Sequence, residues 1–393
     1  MAQQWPYYFV SALYLLLAVL LRWNRGGGAD WDTFLSTTDM ILKGQWLHLY
    51  ENHTSYFTFT FPPLPFFLMA PFRYLALALD FSPAASDILT ALPILAGDLL
   101  SAWMLVHWVR RYRTVSPGEA LFLFTLYLTA WVVFFNSAYH SHFETLLFLF
   151  LALALERLKA GRFAASGFFL GLAFLTKQTA LVVAIPLFMA LVLRGPRKSF
   201  LKTLGVTAGT VLAVMAPFLI ADFQDVKTVL MDLPGKLPVA YQTVWWVFAG
   251  NDDVMRFLNG AGSLLETLIV VLSLLYAWVL VWYHGIGIQD RRLIGLCAGC
   301  ALIMVSLESW GSLHYFLVPF ALLLAWEAVT YRWPWVSILF AAFLSHLFVL
   351  KYSVETHFGF NEATAWFMIL LFFGTLGYLT HKLRAPAGEP ERQ

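Results

Sequence analysis

Charged residues are scarce in this chain of 393 residues, and their scarcity limits what kind of protein it is. Asp, Glu, Lys and Arg together make up 12% of the sequence, whereas an average soluble domain has about 25%. Hydrophobic residues reach 60%. This composition excludes a soluble enzyme, a disordered chain and a disulfide-rich scaffold. The formal net charge is only +2, so we do not expect a nucleic-acid partner.

Cysteine is nearly absent as well. Cys297 and Cys300 both lie in an apolar run, with no second cysteine pair and no histidine close by, which argues against a metal or redox site. Their spacing puts both on one helix face, so we expect packing residues. A glycine-rich phosphate loop, an internal repeat and room for a soluble domain are also missing. We therefore treat residues 1–393 as a single membrane-embedded domain.

The sequence has instead a series of apolar windows. A bilayer crossing takes about 20 apolar residues, so the hydrophobic content predicts an all-α polytopic membrane protein with about 12 transmembrane helices. A further apolar stretch, 62–79, contains four prolines and predicts an interfacial or re-entrant segment. The predicted spans are 7–22, 86–109, 118–137, 141–156, 163–176, 179–193, 201–221, 264–284, 293–308, 313–331, 334–352 and 364–381.

The basic residues indicate the sidedness of the loops. With twelve spans and a cytoplasmic amino terminus, 16 of the 25 Lys and Arg fall in the even-numbered loops and the carboxyl-terminal tail. Cytoplasmic loops are enriched in these residues. Both termini are therefore predicted to be cytoplasmic, and the two long loops, 23–85 and 222–263, to lie outside. Counting 62–79 as a crossing would invert every later loop and break this pattern.

The first long loop contains a pair of aspartates. Asp30 and Asp32 follow the first apolar window and three glycines, 26–28, which allow a tight irregular turn. Paired carboxylates act as a general base, hold a divalent metal, or are simply solvated. In an extended loop the two share a face, and in a helix they diverge by about 200°. Their position next to the membrane, in a chain poor in charge, favours a functional role.

Two later junctions carry further polar groups. His140 and His142, with Glu144 beyond them, fit hydrogen bonding to a lipid phosphate, ordinary interfacial residues, or metal ligands. We rank the three in that order because no third strong ligand adjoins them. Lys177 and Gln178 lie between two apolar runs whose connection is nearly absent. A lysine there either snorkels to the membrane surface or binds a phosphate buried at that surface.

Five motifs, taken in order, resemble the GT-C superfamily of polytopic glycosyltransferases. The similarity is to the bacterial polyprenyl-phosphate-mannose transferases, to GPI mannosyltransferase I and, in the third motif, to the dolichyl-phosphate-glucose transferases. In the last motif a histidine stands where GPI mannosyltransferase I has glutamine. The motifs are Asp30-Trp31-Asp32 followed by Gly44, Tyr50 and Phe61-Pro62-Pro63-Leu64; Asp98; His140-Ser141-His142-Phe143; Gly171-Leu172-Ala173-Phe174-Leu175-Thr176-Lys177-Gln178-Thr179-Ala180; and His314-Tyr315-Phe316-Leu317.

The resemblance implies a GT-C-like fold with interfacial helices in the first outer loop. It also implies an inverting hexosyl transfer, with mannose as the sugar of the nearest relatives, from a polyprenyl or dolichyl phosphate to an acceptor hydroxyl outside the cytoplasm. Expected partners are the lipid-linked donor, a glycan, glycolipid or protein acceptor, and membrane lipids. The expected location is the plasma membrane, or the endoplasmic reticulum membrane in a eukaryote.

A single displacement of this kind needs a base for the acceptor hydroxyl and cationic or N–H donors for the departing phosphate. Asp30 and Asp32 are the candidate catalytic residues, and Phe34, four residues after Asp30, favours Asp30 as the base by the family pattern. A lipid phosphate leaves without protonation, so no cofactor is required, although the aspartate pair also offers ligands for a divalent metal. The candidate donor-phosphate ligands are Lys177, Gln178, His140 and His142, and the candidate substrate-binding residues are Glu144, His314, Tyr315 and Asp98.

Two other functional classes stay open at this point. A transporter or flippase of a lipid-linked sugar would carry paired charges deep in several spans, and here only Asp98 lies clearly in mid-span. A non-catalytic subunit of a membrane glycosylation complex would lose an aspartate pair such as Asp30 and Asp32, which this chain keeps.

Cysteine labelling tests the predicted sidedness once Cys297 and Cys300 have been replaced. Asn52→Cys should react with a membrane-impermeant maleimide added to intact cells, and Lys198→Cys should react only after permeabilisation. The reverse pattern would contradict the topology and would place the aspartate pair in the cytoplasm.

Overall fold

The computed structural model describes residues 4–25, 30–51, 61–232, 244–248, 250–308, 313–353 and 362–385. In these ranges all regular secondary structure is helical, which confirms the all-α class. A π-helix, Asn136–His140, follows α6, and a 3-10 turn, Leu313–Phe316, precedes α15. The α-helices are α1 (Trp5–Arg25), α2 (Trp31–Leu42), α3 (Leu64–Ala78), α4 (Pro83–Tyr112), α5 (Pro117–Thr129), α6 (Trp131–Phe135), α7 (Glu144–Lys159), α8 (Phe163–Thr176), α9 (Ala180–Arg194), α10 (Arg197–Ala221), α11 (Phe223–Lys227), α12 (Asp252–Gly260), α13 (Gly262–Tyr283), α14 (Arg292–Leu307), α15 (Leu317–Thr330), α16 (Trp335–Ser353) and α17 (Glu362–Arg384).

Each of the twelve apolar windows coincides with a helix or with a bent pair of helices. The helices α1, α4, α10, α13 and α17 are long and apolar enough to cross a bilayer, and α5 with α6 and the π-helix forms a sixth candidate, bent by 47°. The remaining windows correspond to shorter helices, such as α8 with 14 residues and α9 with 15. Because a perpendicular crossing takes about 20 residues, the number twelve stays a prediction.

The first long loop folds into two short helices, α2 and α3, which pack on each other, while α3 also packs on α4. The proline-rich stretch 62–79 forms α3, with Pro65 in the first turn, where the missing N–H costs no hydrogen bond. The glycines at 26–28 lie outside the described residues. Helices in this loop agree with the resemblance, and their placement at the membrane interface stays a prediction.

Basic side chains from several turns meet at one end of the bundle and cap main-chain carbonyls there. Because α7 has 16 residues, its first residue, Glu144, lies roughly 22 Å away, at the opposite end. The carboxyl-terminal ends of α4, α7, α15 and α17 and the start of α14 therefore lie at the basic end. The contacts at the basic end are Arg113 Nε to the carbonyl oxygen of Ala328 at 2.7 Å, Lys159 Nζ to that of Asp290 at 3.1 Å and Arg292 Nη1 to that of Leu383 at 3.2 Å.

The centre of the bundle is formed by α14 and α15, whose residues are buried along nearly their whole length. Cys297 and Cys300 are free thiols, fully buried on α14. The expectation that both are packing residues is confirmed.

Two glycines allow α8 and α10 to approach closely. A Cβ atom at Gly167 would lie 2.4 Å from the carbonyl oxygen of Thr203, and one at Gly171 would lie 2.6 Å from Cβ of Thr210. Small residues at helix contacts are the usual device for close packing in membranes. The contact fixes α8 and therefore the position of Lys177, which follows the last residue of that helix.

Gly167→Val should destabilise the protein by about 1–3 kcal/mol, because the new side chain meets backbone that cannot move aside without strain. The measurement is the thermal unfolding midpoint in detergent. Gly205→Val on α10 is the matched control, since no heavy atom of the described residues outside the neighbouring turns of its own helix lies within 4 Å of its Cβ position. Equal midpoints for the two variants would contradict the close contact.

Candidate active site

The two aspartates of the first loop face different surroundings. Asp30 is the N-cap residue of α2, and Asp32 lies exposed in its first turn. On a helix, two residues at this spacing diverge by about 200°. The Asp30 carboxylate is about half exposed, and its Oδ2 lies 3.2 Å from Nε2 of His142. Of the pair, Asp30 is therefore the residue that the fold joins to the histidine junction.

A π-helix and a left-handed residue place His142 opposite Asp30. The π-helix Asn136–His140 ends at Ser141, which has a φ of 56°. The backbone N–H of His142 then donates to the carbonyl oxygen of Asn136 at 3.3 Å. The His142 side chain is buried, with 3% exposed. π-helices are rare and occur frequently at functional sites, and this one directs a buried imidazole toward a half-exposed carboxylate.

His314, from a distant part of the chain, stacks on His142. The two rings are 3.6 Å apart between centroids and 14° from parallel. Nε2 of His314 lies 3.6 Å from Oε1 of Glu144, the first residue of α7. The 3-10 turn before α15 therefore joins the histidine junction to the carboxylate at the start of α7.

Lys177 completes the line of side chains. It adopts an extended backbone immediately after α8, and its Nζ donates to Oε1 of Glu144 at 2.5 Å. The same ammonium lies 3.6 Å from the ring centroid of Tyr315, a cation–π contact. Both charged side chains are no more than 5% exposed. Lys177 thus points into the protein, and the snorkelling interpretation is wrong.

Five side chains therefore form one continuous line, which we call the Asp30–Lys177 line. Its members, in order of contact, are Asp30, His142, His314, Glu144 and Lys177.

The comparisons with known proteins place the chain in a family. Residues 59–308 match the family model described as glycosyltransferase family 87. The chain belongs to glycosyltransferase family 87. This is a GT-C-type family, so the resemblance stated above is confirmed. Three members of the Asp30–Lys177 line, His142, Glu144 and Lys177, lie within the matched region. Asp30 and His314 lie outside it.

Among solved structures, this family 87 chain is similar to ArnT from Cupriavidus metallidurans, determined as a crystal structure bound to undecaprenyl phosphate. The TM-score is 0.56 with 13% sequence identity, over 96% of this chain and 73% of that one. Identity this low establishes the shared fold alone. No curated protein matches the chain significantly. The fold is thus that of a GT-C membrane glycosyltransferase.

In this family 87 chain, three members of the Asp30–Lys177 line are of the residue types that bind metal ions. One ligand atom each from His142, Glu144 and His314 lies within 4.8 Å of the others. An imidazole binds a metal through an in-plane lone pair, and here the two ring planes are nearly parallel, so their lone pairs do not converge. Lys177 already neutralises the carboxylate. The arrangement therefore favours hydrogen bonding, and a metal would require one ring to rotate.

Asp98 belongs to a different cluster. It is fully buried in α4, where Tyr14 O–H donates to one oxygen and Ser137 Oγ donates to the other at 3.1 Å. These bonds hold the π-helix against α1 and α4. The geometry therefore joins Asp98 to the π-helix and not to the Asp30–Lys177 line, and its expected substrate contact stays a prediction.

The remaining candidates lie beside the line. The ring of His140 is 5.6 Å from that of His142, and Gln178 is half-buried next to Lys177. Both are near enough to take part in binding a ligand that reaches the line.

Two polar residues of this region were not among the candidates from the sequence. Glu308 directly follows α14 and interacts electrostatically with Lys177 and Glu144. Arg22, near the end of α1, is the second. A basic residue within an apolar window, with no acidic neighbour in sequence, was the available signal.

Glu144→Leu should lower the free energy of unfolding by about 3–5 kcal/mol, because it leaves the Lys177 ammonium buried without its counter-ion. The double variant Glu144→Leu/Lys177→Met should recover most of that loss, since neither charge is then left alone. Thermal unfolding in detergent measures both.

The control is Asp253→Leu, which breaks an exposed ion pair with Arg256 on α12 and should leave the midpoint unchanged. A double variant no more stable than Glu144→Leu would contradict the buried pair.

Proposed function

We propose that this family 87 glycosyltransferase moves mannose from a polyprenyl or dolichyl phosphate to an acceptor hydroxyl on the extracytoplasmic face, with inversion at the anomeric carbon. The observation that carries the proposal is the Asp30–Lys177 line. It has a half-exposed carboxylate at one end and a buried ammonium at the other. The acceptor needs the half-exposed carboxylate, and the anionic headgroup of the donor needs the buried ammonium.

Lys177 is the proposed partner of the donor phosphate. An ammonium has three N–H donors, and Glu144 takes one of them while Tyr315 supports the cation from its ring face. Cations aimed at a departing phosphate stabilise the charge that develops there. His140, His142 and Gln178 are proposed as further N–H donors. The structural similarity to ArnT, which binds undecaprenyl phosphate, supports a lipid phosphate as the ligand.

Asp30 is the proposed general base. Its half-exposed side chain is accessible to a polar acceptor, and its contact with His142 holds the carboxylate toward the line. As the acceptor oxygen bonds to the anomeric carbon, its proton passes to Asp30. The bond from that carbon to the phosphate oxygen breaks, and the electron pair leaves with the lipid phosphate beside Lys177. Glu144, His314 and Tyr315 act in substrate binding by fixing this cation.

We propose that no resident metal takes part. The leaving phosphate needs no proton, and Lys177 supplies the positive charge that a metal would otherwise provide. Asp32 diverges from Asp30 on α2, which argues against one ion held by both.

The extracytoplasmic placement rests on charge. The line lies at the end of the bundle opposite the basic turns, and basic turns mark the cytoplasmic side. Both termini would then be cytoplasmic.

Asp30→Asn should reduce turnover by about 10²–10⁴-fold, because the amide keeps the size of the side chain but cannot accept the hydroxyl proton. Asp32→Asn is the matched control and should cost far less. Turnover is measured with purified variants at saturating donor and acceptor. If Asp32→Asn is the more impaired variant, the two roles must be exchanged, and if both stay active the proposed mechanism fails.

The experiment that tests the function uses the purified protein in lipid nanodiscs with a panel of short-chain polyprenyl-phosphate sugars and a mixed pool of glycan, glycolipid and peptide acceptors. We expect release of polyprenyl phosphate from the mannose donor, unchanged by a chelator. Release from another sugar only would correct the donor. Activity lost with chelator and restored by Mn²⁺ would overturn the metal-free proposal. Movement of the lipid-linked sugar across the bilayer without cleavage would favour a flippase.

A further inference from the structure

Arg22 is a buried cation on α1 that contacts an aromatic ring and two oxygen acceptors. It lies near the end of α1 with 1% of its surface exposed. Within the described part of the chain, no carboxylate lies within ion-pair distance of its guanidinium, and its Nε and Nη2 have no hydrogen-bond partner. Asp87 on α4 interacts with it electrostatically at longer range. Burying a charge in this way costs free energy that neighbouring groups must offset.

The contacts that Arg22 does make reach two separate segments. Its guanidinium carbon lies 4.3 Å from the ring centroid of Trp31, a cation–π contact. On the other side, Nη1 donates to Oγ of Ser141 and, at 3.2 Å, to the carbonyl oxygen of Ala138. Trp31 and Ser141 are themselves almost fully buried.

Two of these contacts, Trp31 and Ser141, lie one residue from a member of the Asp30–Lys177 line. Trp31 directly follows Asp30, and Ser141 directly precedes His142. The guanidinium therefore links the start of α2 to the end of the π-helix, the two segments whose side chains meet at 3.2 Å. The backbone at Ser141 is left-handed, so the hydrogen bond to its side chain also holds an uncommon conformation in place.

We infer that Arg22 is a positioning residue that sets the geometry between Asp30 and His142. It acts through Trp31 and Ser141 and does not touch the reacting atoms. The inference rests on the proposed role of Asp30 as base.

Arginine suits this position because of its shape as well as its charge. The planar guanidinium stacks on an indole and donates from its edge at the same time, whereas a lysine ammonium is a point charge on a flexible stem. Lysine at position 22 would keep the charge and one hydrogen bond but lose the contact between the guanidinium and the Trp31 ring. The Arg22→Lys substitution therefore separates positioning from charge.

Arg22→Lys should lower kcat by about ten- to a hundredfold, with the KM for donor nearly unchanged, since a misplacement of about 1 Å at a catalytic group costs that much while binding survives. In the Asp30→Asn background the same substitution should have no further effect, because the group that Arg22 positions is already disabled. Arg194→Lys is the control. Arg194 also donates to main-chain carbonyls, of Val281 and Trp282, but at the basic end, so its kcat should not change.

Three results would overturn the inference. A raised KM with kcat unchanged would make Arg22 a direct donor contact. An equal loss with and without Asp30→Asn would make its role purely structural. An unchanged kcat would mean that Arg22 has no part in the reaction. Failure of the proposed function is seen separately, as full turnover of Asp30→Asn alone.

A second variant, at Trp31, tests the contact between Arg22 and Trp31 if Arg22→Lys does not fold. Trp31→Phe shrinks the ring under the guanidinium and leaves position 22 intact. It should lower kcat without changing the donor KM, and it too should have no effect in the Asp30→Asn background. An unchanged kcat in Trp31→Phe would overturn the inference even without the lysine variant.

Discussion

The buried ion pair between Lys177 and Glu144 is the interaction on which the proposed site depends most. In a chain with 12% charged residues, two ionised side chains at 2.5 Å and no more than 5% exposed would each be costly alone. Their pairing fixes the end of α8 against the start of α7. It also holds a cation inside the protein, where a buried phosphate needs a compensating charge.

The other site residues lie between that buried pair and the half-exposed carboxylate of Asp30. Close packing of α8 on α10 through Gly167 sets where Lys177 emerges. The π-helix, supported by Asp98 and by Arg22, sets where His142 meets Asp30. The buried cation suits a ligand anchored in the membrane, and the half-exposed carboxylate suits one that arrives from water. Proton acceptance and phosphate stabilisation are thereby kept at opposite ends of one line of contacts.

The sequence predicted the helices well, because the apolar windows are local signals and each coincides with a helix or a bent pair. It also named every member of the Asp30–Lys177 line. What it could not predict were the contacts among them. The stacking of His314 on His142 and the pairing of Lys177 with Glu144 join residues far apart in the chain. Whether Asp30 and Asp32 share a face depended on where α2 begins. The contacts of Asp98 could not be predicted because a lone mid-span carboxylate looks the same whether it binds a ligand or a tyrosine and a serine.

The most direct measurement is an experimental structure of the protein in lipid nanodiscs with a short-chain polyprenyl phosphate. We expect the phosphate within hydrogen-bonding distance of Lys177 Nζ, at the end of the bundle that carries Asp30. A phosphate bound at the opposite end, among Arg110, Arg111 and Arg113, with the Asp30–Lys177 line unoccupied, would contradict the proposed active site.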